Sequence, residues 1–184
     1  MSKTALQLLA WAGFLVSSLV AQATESYSFG FTIQPKKLDG EIKNSGDETV
    51  SNEHWAYNVT LENRCFRDVQ NLEIKYIIFM KQDIPGEKTV IGHITLKRKE
   101  GSTRIAAFKN NDKFSFTTES MEIRGTQLSG GYFWASGASP YSKDALKGLW
   151  LRVYAEGKQV AEYVNPPTLT SKEHWETPNP KKRN

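Results

Sequence analysis

The sequence has one cysteine and one long apolar run, and these shortages narrow the classes of protein it can belong to. Among 184 residues the only cysteine is Cys65, so an intramolecular disulfide is excluded and the fold depends on its hydrophobic core. We interpret Cys65 as a buried small side chain, with an intermolecular disulfide as the alternative. After residue 23 no apolar run approaches the roughly 20 residues that a membrane-spanning helix needs.

Sequence patterns of catalysis are missing as well. The chain contains no G-x-S-x-G, H-E-x-x-H or glycine-rich phosphate-binding pattern, and its acidic residues are scattered. We therefore predict no catalytic residue and no cofactor. His54 and His174 each follow a glutamate and precede a tryptophan. Two such Glu-His pairs would suit zinc if they met in space, but no compact ligand spacing accompanies them, and no metal site is predicted.

A basic stripe, which nucleic-acid binding usually requires, is also absent. The formal net charge is +4, and the basic excess of the chain after residue 23 comes from Lys181, Lys182 and Arg183. Basic residues confined to a terminus are typical of a solvated tail. The sequence therefore predicts a protein that does not bind nucleic acid.

The N-terminus has the three zones of a secretory signal peptide. Lys3 is followed by an apolar stretch over residues 5–20, and Ala21-Gln22-Ala23 supplies the small-x-small pattern of a cleavage site. We predict a signal-peptide helix over residues 1–23 that is removed after Ala23. A retained membrane anchor is the alternative, disfavoured because the run is short and broken by serines. The mature chain would then be periplasmic, attached to the cell surface or extracellular.

Period-two alternation dominates the rest of the chain and predicts an all-β protein. The clearest strand places Trp55, Tyr57, Val59 and Leu61 inward and Ala56 outward. Strands are predicted at residues 27–33, 55–61, 72–81, 90–97, 105–108, 114–116, 121–123, 149–155 and 159–164. The second half of 72–81 is apolar throughout, which predicts a central strand covered on both faces.

The connecting segments are marked by turn residues. Gln34-Pro35 is predicted to end the first strand, residues 36–53 to form a loop or an edge excursion, and Gly101-Ser102 to end a charged stretch. Residues 144–147 suggest a helical turn. Around Glu156-Gly157-Lys158 a hairpin is predicted, with Arg152 opposite Glu162.

Seven to nine antiparallel strands without a long helix predict a β-sandwich, with a barrel as the alternative. The pattern W-x-Y-x-V-x-L-x-N over residues 55–63 and the closing segment GLWLRVYAEGKQVAEYV over residues 148–164 resemble immunoglobulin-like and fibronectin-III-like domains of bacterial exported proteins. The resemblance implies an immunoglobulin-like domain over residues 24–167 that acts as a binding or structural module. Residues 168–184 are predicted to be a proline-containing basic tail.

One segment is a candidate binding site. In it Tyr132, Phe133 and Trp134 follow two glycines, and Tyr141 follows Pro140. Exposed aromatic side chains on a loop can anchor a protein or stack on a sugar. The competing interpretation, favoured because large aromatic side chains are mostly buried, is that Phe133 or Trp134 folds back to fill the core.

These observations predict an exported, non-catalytic module that engages a protein partner or a surface assembly at the cell envelope. The alternative is a glycan-binding or glycan-cleaving protein that uses residues 130–141. Asn58-Val59-Thr60 matches the N-glycosylation sequon. We interpret Asn58 as part of the solvated face of a strand, because sequons normally mark surface loops.

Overall fold

The computed structural model describes residues 26–88, 96–171 and 173–176. Ala21, Ala23 and the whole predicted signal peptide lie outside the described residues, as do the greater part of the predicted strand at 90–97 and the basic residues of the C-terminus. Nine strands are described: β1 (Phe29–Ser45), β2 (Glu48–Asn63), β3 (Val69–Lys81), β4 (Leu96–Phe108), β5 (Lys113–Thr117), β6 (Met121–Leu128), β7 (Tyr141–Lys143), β8 (Ala145–Ala155) and β9 (Lys158–Asn165).

The strands form two antiparallel sheets, so the predicted all-β, sandwich-like fold is confirmed. The first sheet has the order β1-β2-β6-β7, and β5 pairs with the part of β2 that β6 leaves free. The second sheet has the order β4-β3-β8-β9. A short 3₁₀ helix (Pro167–Ser171) follows β9. In the described ranges no helix is long and apolar enough to cross a membrane.

The alternation predicted for β2 is confirmed on its inward side. Tyr57, Val59 and Leu61 are buried in the core between the sheets. Ala56, which was predicted to face solvent, is completely buried instead. Its methyl group is too short to emerge between the neighbouring side chains of a strand that is paired on both edges.

The central strand β3 is covered on both faces, as predicted. One face contributes Ile74, Ile78 and other residues to the core between the sheets. Ile77 and Phe79 point the opposite way and form a second apolar cluster with Trp150 and Leu169 on the outer face of the second sheet. Leu169 belongs to the 3₁₀ helix and is buried in this cluster, so the helix packs against the outer face of the second sheet.

The prediction that the first strand ends at Gln34-Pro35 is wrong. β1 continues through Pro35 to Ser45, and residues 36–53 form the distal part of a β1–β2 hairpin that turns at Gly46. Proline is tolerated at this position because β1 is an edge strand and needs no amide hydrogen on its free side. Side chains that are solvated on both faces leave no period-two signal.

Two other boundaries differ from the predictions. Residues 144–147 do not form a helical turn, because β8 begins at Ala145. Gly101-Ser102 does not end a segment: β4 passes through it, and residues 105–108 are the end of that same strand. Gly101 lies opposite Tyr76, and any side chain there would collide with the Tyr76 hydroxyl. The glycine is thus required by close packing inside a strand.

The β8–β9 hairpin is confirmed, including the pair Arg152 and Glu162. The loop is shorter than predicted, with two residues, Glu156 and Gly157, both at positive φ. A register shift between Val153 and Tyr154 then restores the alignment of Arg152 with Glu162. This is the local arrangement expected of a tight primed turn combined with a β-bulge.

Candidate functional site

The candidate site is the aromatic loop, residues 130–141, which follows β6 and ends at Tyr141, the first residue of β7. Two glycines open it in the left-handed region, Gly130 at φ 69° and Gly131 at φ 79°, where a side chain would be strained. Backbone bonds close its base: the amide of Leu128 donates to the carbonyl of Pro140 (2.9 Å), and the amide of Ser129 donates to the carbonyl of Asp47 (2.8 Å). The loop is therefore tied to the β1–β2 turn.

Three of the four aromatic side chains predicted to bind a ligand are exposed. The exposed fractions are 55% for Tyr132, 74% for Phe133 and 53% for Tyr141. Phe133 contacts neither of the two apolar clusters of the described fold. Exposed rings on a tethered loop offer contact area with little side-chain entropy to lose on binding.

Trp134 has a different position from its neighbours. It is half-buried and its indole lies against the 83–88 segment, where a Cβ at Gly86 would be 3.3 Å from the ring. Ser136 Oγ donates to the carbonyl of Gly86 (2.6 Å), which fixes the same two segments together. The glycine allows this approach, at a φ of 79°. Trp134 therefore fastens the loop to a neighbouring segment and does not fill the core between the sheets.

A cleft of about 210 Å³ opens where these two segments meet. Tyr141 and Ser139 line one side, and Ile84, Glu87 and Lys88 line the other. The lining combines an aromatic ring, an aliphatic side chain and charges of both signs. Its volume is below the range of about 300–1,000 Å³ that encloses a small-molecule ligand, so the cleft suits one side chain of a larger partner.

Two aspartates hold the base of this cleft in place, and sequence reasoning missed both. Asp144 is buried, and its carboxylate accepts from the amide of Asp83 (2.8 Å) and from the amide of Arg124 (3.2 Å). Asp83 in turn accepts from the amide of Lys143 (3.3 Å). Asp144 lies shortly before the predicted strand at residues 149–155, and this was the only signal in the sequence. Its hydrogen-bond partners, Arg124 and Asp83, are 20 and 61 positions away, and period-two alternation does not predict contacts over such separations.

A charged cluster lies beside the loop on the first sheet. Glu53 accepts hydrogen bonds from Lys37 (2.7 Å), from Trp55 Nε1 (3.0 Å) and from Lys143 (3.2 Å). Those bonds, with the Lys37 bond the largest cause, lower the pKa of Glu53 to about 2. Because Lys143 is in β7 and Lys37 is in β1, the carboxylate links the two edges of this part of the sheet.

The remaining sequence candidates lie apart from the loop. His54 Nδ1 is 2.5 Å from Asp39 Oδ1, while His174 is exposed near the end of the described chain. Asn58 accepts from Thr117 Oγ1 (3.0 Å) on the solvated side of β2. Cys65 is half-buried, and its sulfur donates to the carbonyl of Ser28 (3.2 Å). Among the described residues no group of three or more His, Cys, Asp or Glu side chains is placed to hold a metal ion.

The geometry defines an all-β protein of two antiparallel sheets. No protein-family model matches the chain, and no curated protein matches it. The chain is similar to a Bordetella pertussis crystal structure described as an ApaA protein, with 11% identity over 76% of this chain and 94% of the other and a TM-score of 0.37. A structural genomics target, SoR45, gives 11% identity, 82% and 96% coverage and a TM-score of 0.35. An Akkermansia muciniphila structure gives 11% identity, 74% and 71% coverage and a TM-score of 0.26. Scores this low carry no argument about function.

Proposed function

We propose that this chain is an exported, non-catalytic binding module with an immunoglobulin-like β-sandwich, which engages a protein partner at the cell envelope through the aromatic loop. The observation that carries the proposal is the exposure of Tyr132, Phe133 and Tyr141 on a loop whose base is hydrogen-bonded to two other segments. Protein interfaces are enriched in aromatic anchors that fill pockets on the partner.

The shape of the loop supports a protein as the partner. Phe133 is the most exposed of its aromatic side chains, and Tyr141 lines a cleft whose volume matches one side chain. An exposed ring and a small cleft on the same loop suit a partner surface that has both a pocket and a projecting side chain. Because the loop is held by Trp134 and Ser136, little ordering cost is added when a partner binds.

The edge of the first sheet is the competing surface for a partner, and its residues argue against strand addition. β1 carries Pro35 and a register shift between Lys37 and Asp39, and charged side chains alternate along its distal part. Proline, bulges and charges are the features by which edge strands avoid pairing with another chain.

Affinity capture tests the proposal. The mature protein, a Tyr132→Ala/Phe133→Ala variant and a Phe66→Ala control are immobilised, and proteins retained from the envelope fraction are quantified. Phe66 is a suitable control because it is 90% exposed and belongs to the β2–β3 connection. We expect the loop variant to retain at least about tenfold less of a partner, since hot-spot truncation costs about 2 kcal/mol or more, and the control to match the parent. Equal retention by all three proteins would contradict the proposal.

Glycan binding by the same loop is the second candidate, favoured by the cleft that Tyr141 shares with polar residues. A glycan array separates the two candidates. Specific binding that Phe133→Ala and Tyr141→Ala abolish would replace the protein partner with a sugar. If the same substitutions abolish binding of a protein and no glycan binds, the protein partner remains the proposed ligand.

A further inference from the structure

A groove of about 500 Å³ lies on the outer face of the second sheet, where the described chain ends. Trp175 forms one wall, and polar groups are supplied by Glu73, Lys75, Glu100, Ser102 and Glu119. The volume falls within the range of about 300–1,000 Å³ that is typical of small-ligand sites. None of these residues belongs to the aromatic loop, which joins strands of the other sheet.

The wall of the groove is held in place by three contacts. The carbonyl of Trp175 accepts from Arg98 Nη2 (2.7 Å), and the indole ring lies edge-on to Trp150 at a centroid distance of 5.5 Å. The guanidinium carbon of Arg152 is 4.4 Å from the centre of the Trp175 ring. Cation–π and edge-to-face contacts of this kind orient a ring as well as stabilise it. The wall is therefore preorganised.

Arg152 and Trp150 are themselves fixed by Glu162, which accepts from Arg152 Nε (2.6 Å) and from Trp150 Nε1 (2.8 Å). Burial raises the pKa of Glu162, but the two hydrogen bonds outweigh burial and the pKa lies below its usual value. The carboxylate is thus charged at neutral pH and keeps Arg152 and Trp150 in contact with the Trp175 ring.

The opposite end of the groove depends on Gly101. Its missing side chain leaves room for the Tyr76 hydroxyl, which accepts from the amide of Glu119 (3.0 Å). Glu119, in the connection between β5 and β6, is thereby joined to the second sheet. Lys99 adds an ion pair with Glu119 at 3.3 Å. Both ends of the groove are therefore defined by contacts within the fold.

Each carboxylate of the groove has a cation of this chain beside it. Arg104 and Lys75 are both 3.4 Å from Glu73, Arg98 is 3.6 Å from Glu100, and Lys99 pairs with Glu119 as described. No carboxylate of the groove is therefore left unpaired for a cationic ligand. The groove still presents carboxylate lone pairs, a lysine ammonium and a serine hydroxyl, which together accept and donate hydrogen bonds.

From these contacts we propose that the groove binds a neutral oligosaccharide. Sugar hydroxyls both donate and accept, so they match Glu73, Glu100, Lys75 and Ser102 without adding charge. The C–H face of a pyranose ring is apolar and fits against the Trp175 indole, as an aromatic wall with a few polar groups requires. The site is independent of the proposed protein contact at the aromatic loop, so either can fail alone.

The test uses the mature protein and four hexasaccharides, namely those of α-1,4-glucose, β-1,4-glucose, β-1,4-N-acetylglucosamine and β-1,4-xylose. Binding is followed by isothermal titration calorimetry and by tryptophan fluorescence. We expect saturable binding of at least one hexasaccharide, weakened about tenfold or more by Trp175→Ala and restored in part by Trp175→Phe. Phe66→Ala serves as the matched control and leaves sugar binding unchanged, because Phe66 is an exposed ring in the β2–β3 connection and does not line the groove.

Circular dichroism and thermal unfolding establish that each variant is folded. If Trp175→Ala does not fold, Trp175→Phe still tests the role of position 175. Choline and arginine methyl ester are titrated as cationic probes. The proposal is overturned if none of the four sugars binds, if binding is unaffected at position 175, or if only the cationic probes bind.

Discussion

Arg152 and Glu162 face each other across the β8–β9 pair with an Nε–Oε1 distance of 2.6 Å, and the same guanidinium lies 4.4 Å from the centre of the Trp175 ring. The pair was predicted from the sequence, whereas its contact with Trp175 was not. It links the last hairpin of the fold to the residues that follow it. This contact is one of three that hold Trp175 against the second sheet, beside those from Arg98 and Trp150.

Glu162→Gln should loosen that attachment. The neutral amide keeps an acceptor for Trp150 but loses the charge that holds Arg152, so we expect the free energy of unfolding to fall by about 1–2 kcal/mol for a partly exposed pair. Because the folded pKa of Glu162 lies below its unfolded value of 4.5, this contribution is present above pH 4.5 and lost as the pH falls. Urea unfolding at pH 7 and pH 3 measures it. Glu156→Gln, in the exposed β8–β9 turn, is the control, and equal effects of the two substitutions would contradict the account.

Glu53 should make stability fall on acidification. Its pKa is about 2 in the folded protein against 4.5 as the reference, so its stabilising effect is complete above pH 4.5 and is lost between pH 4.5 and pH 2. After allowance for solvent screening we expect about 1–2 kcal/mol. Urea unfolding across this pH range should show a shallower decline in Glu53→Gln than in the parent protein.

The control for Glu53 is Glu122→Gln, since Glu122 is an exposed residue of the adjacent strand β6. Its decline with pH should follow that of the parent. If Glu53→Gln follows the parent as well, the ion pairs with Lys37 and Lys143 do not stabilise the fold.

Trp134 and Phe133 are neighbours in sequence, yet only the substitution of Trp134 should lower the stability of the fold. Trp134→Ala removes the indole that packs on Gly86, and we expect a loss of about 1–3 kcal/mol together with faster proteolysis of the aromatic loop. Phe133→Ala removes an exposed ring and should change stability by less than about 0.5 kcal/mol. Thermal unfolding and limited proteolysis compare the two. A larger destabilisation by Phe133→Ala would mean that Phe133 is the structural residue of the loop.

Export makes its own prediction, which rests on the sequence because the leader lies outside the described residues. The full chain is expressed in a bacterium with its predicted leader. We expect to recover it from the periplasm or medium, with a mass that corresponds to a chain beginning at Thr24. Ala21→Arg/Ala23→Arg should block processing, because the peptidase requires small residues at these positions. Recovery of the uncleaved chain from the membrane would support the anchor instead.

The strands that the sequence predicted well are those with one face in the core. Trp55 to Leu61 and the first half of residues 72–81 alternate because each inward side chain is buried while most of its neighbours face solvent, and this contrast produces a period of two. The distal half of β1 and residues 48–53 were missed for the same physical reason: their side chains are solvated or half-solvated on both faces. Hydrogen bonds hold them in the sheet, and backbone hydrogen bonds leave no mark on residue type.

The candidate site was predictable in composition and unpredictable in arrangement. Two glycines followed by aromatics indicated a loop, but the favoured interpretation placed Phe133 or Trp134 in the core. Phe133 is exposed instead, and Trp134 packs against Gly86 outside the core. Trp134 is half-buried because its indole packs on Gly86, which is 48 positions away and has no side chain to block the approach. Contacts of that kind depend on how two loops meet, which local sequence does not specify.

Site-specific photocrosslinking in living cells tests the central claim most directly. A benzophenone amino acid is placed at position 133 in the aromatic loop or, as the control, at position 66, which is at least as exposed. The account predicts a discrete crosslinked protein on irradiation of the position 133 variant and none for position 66. No adduct at position 133, or the same adducts at both positions, would contradict it.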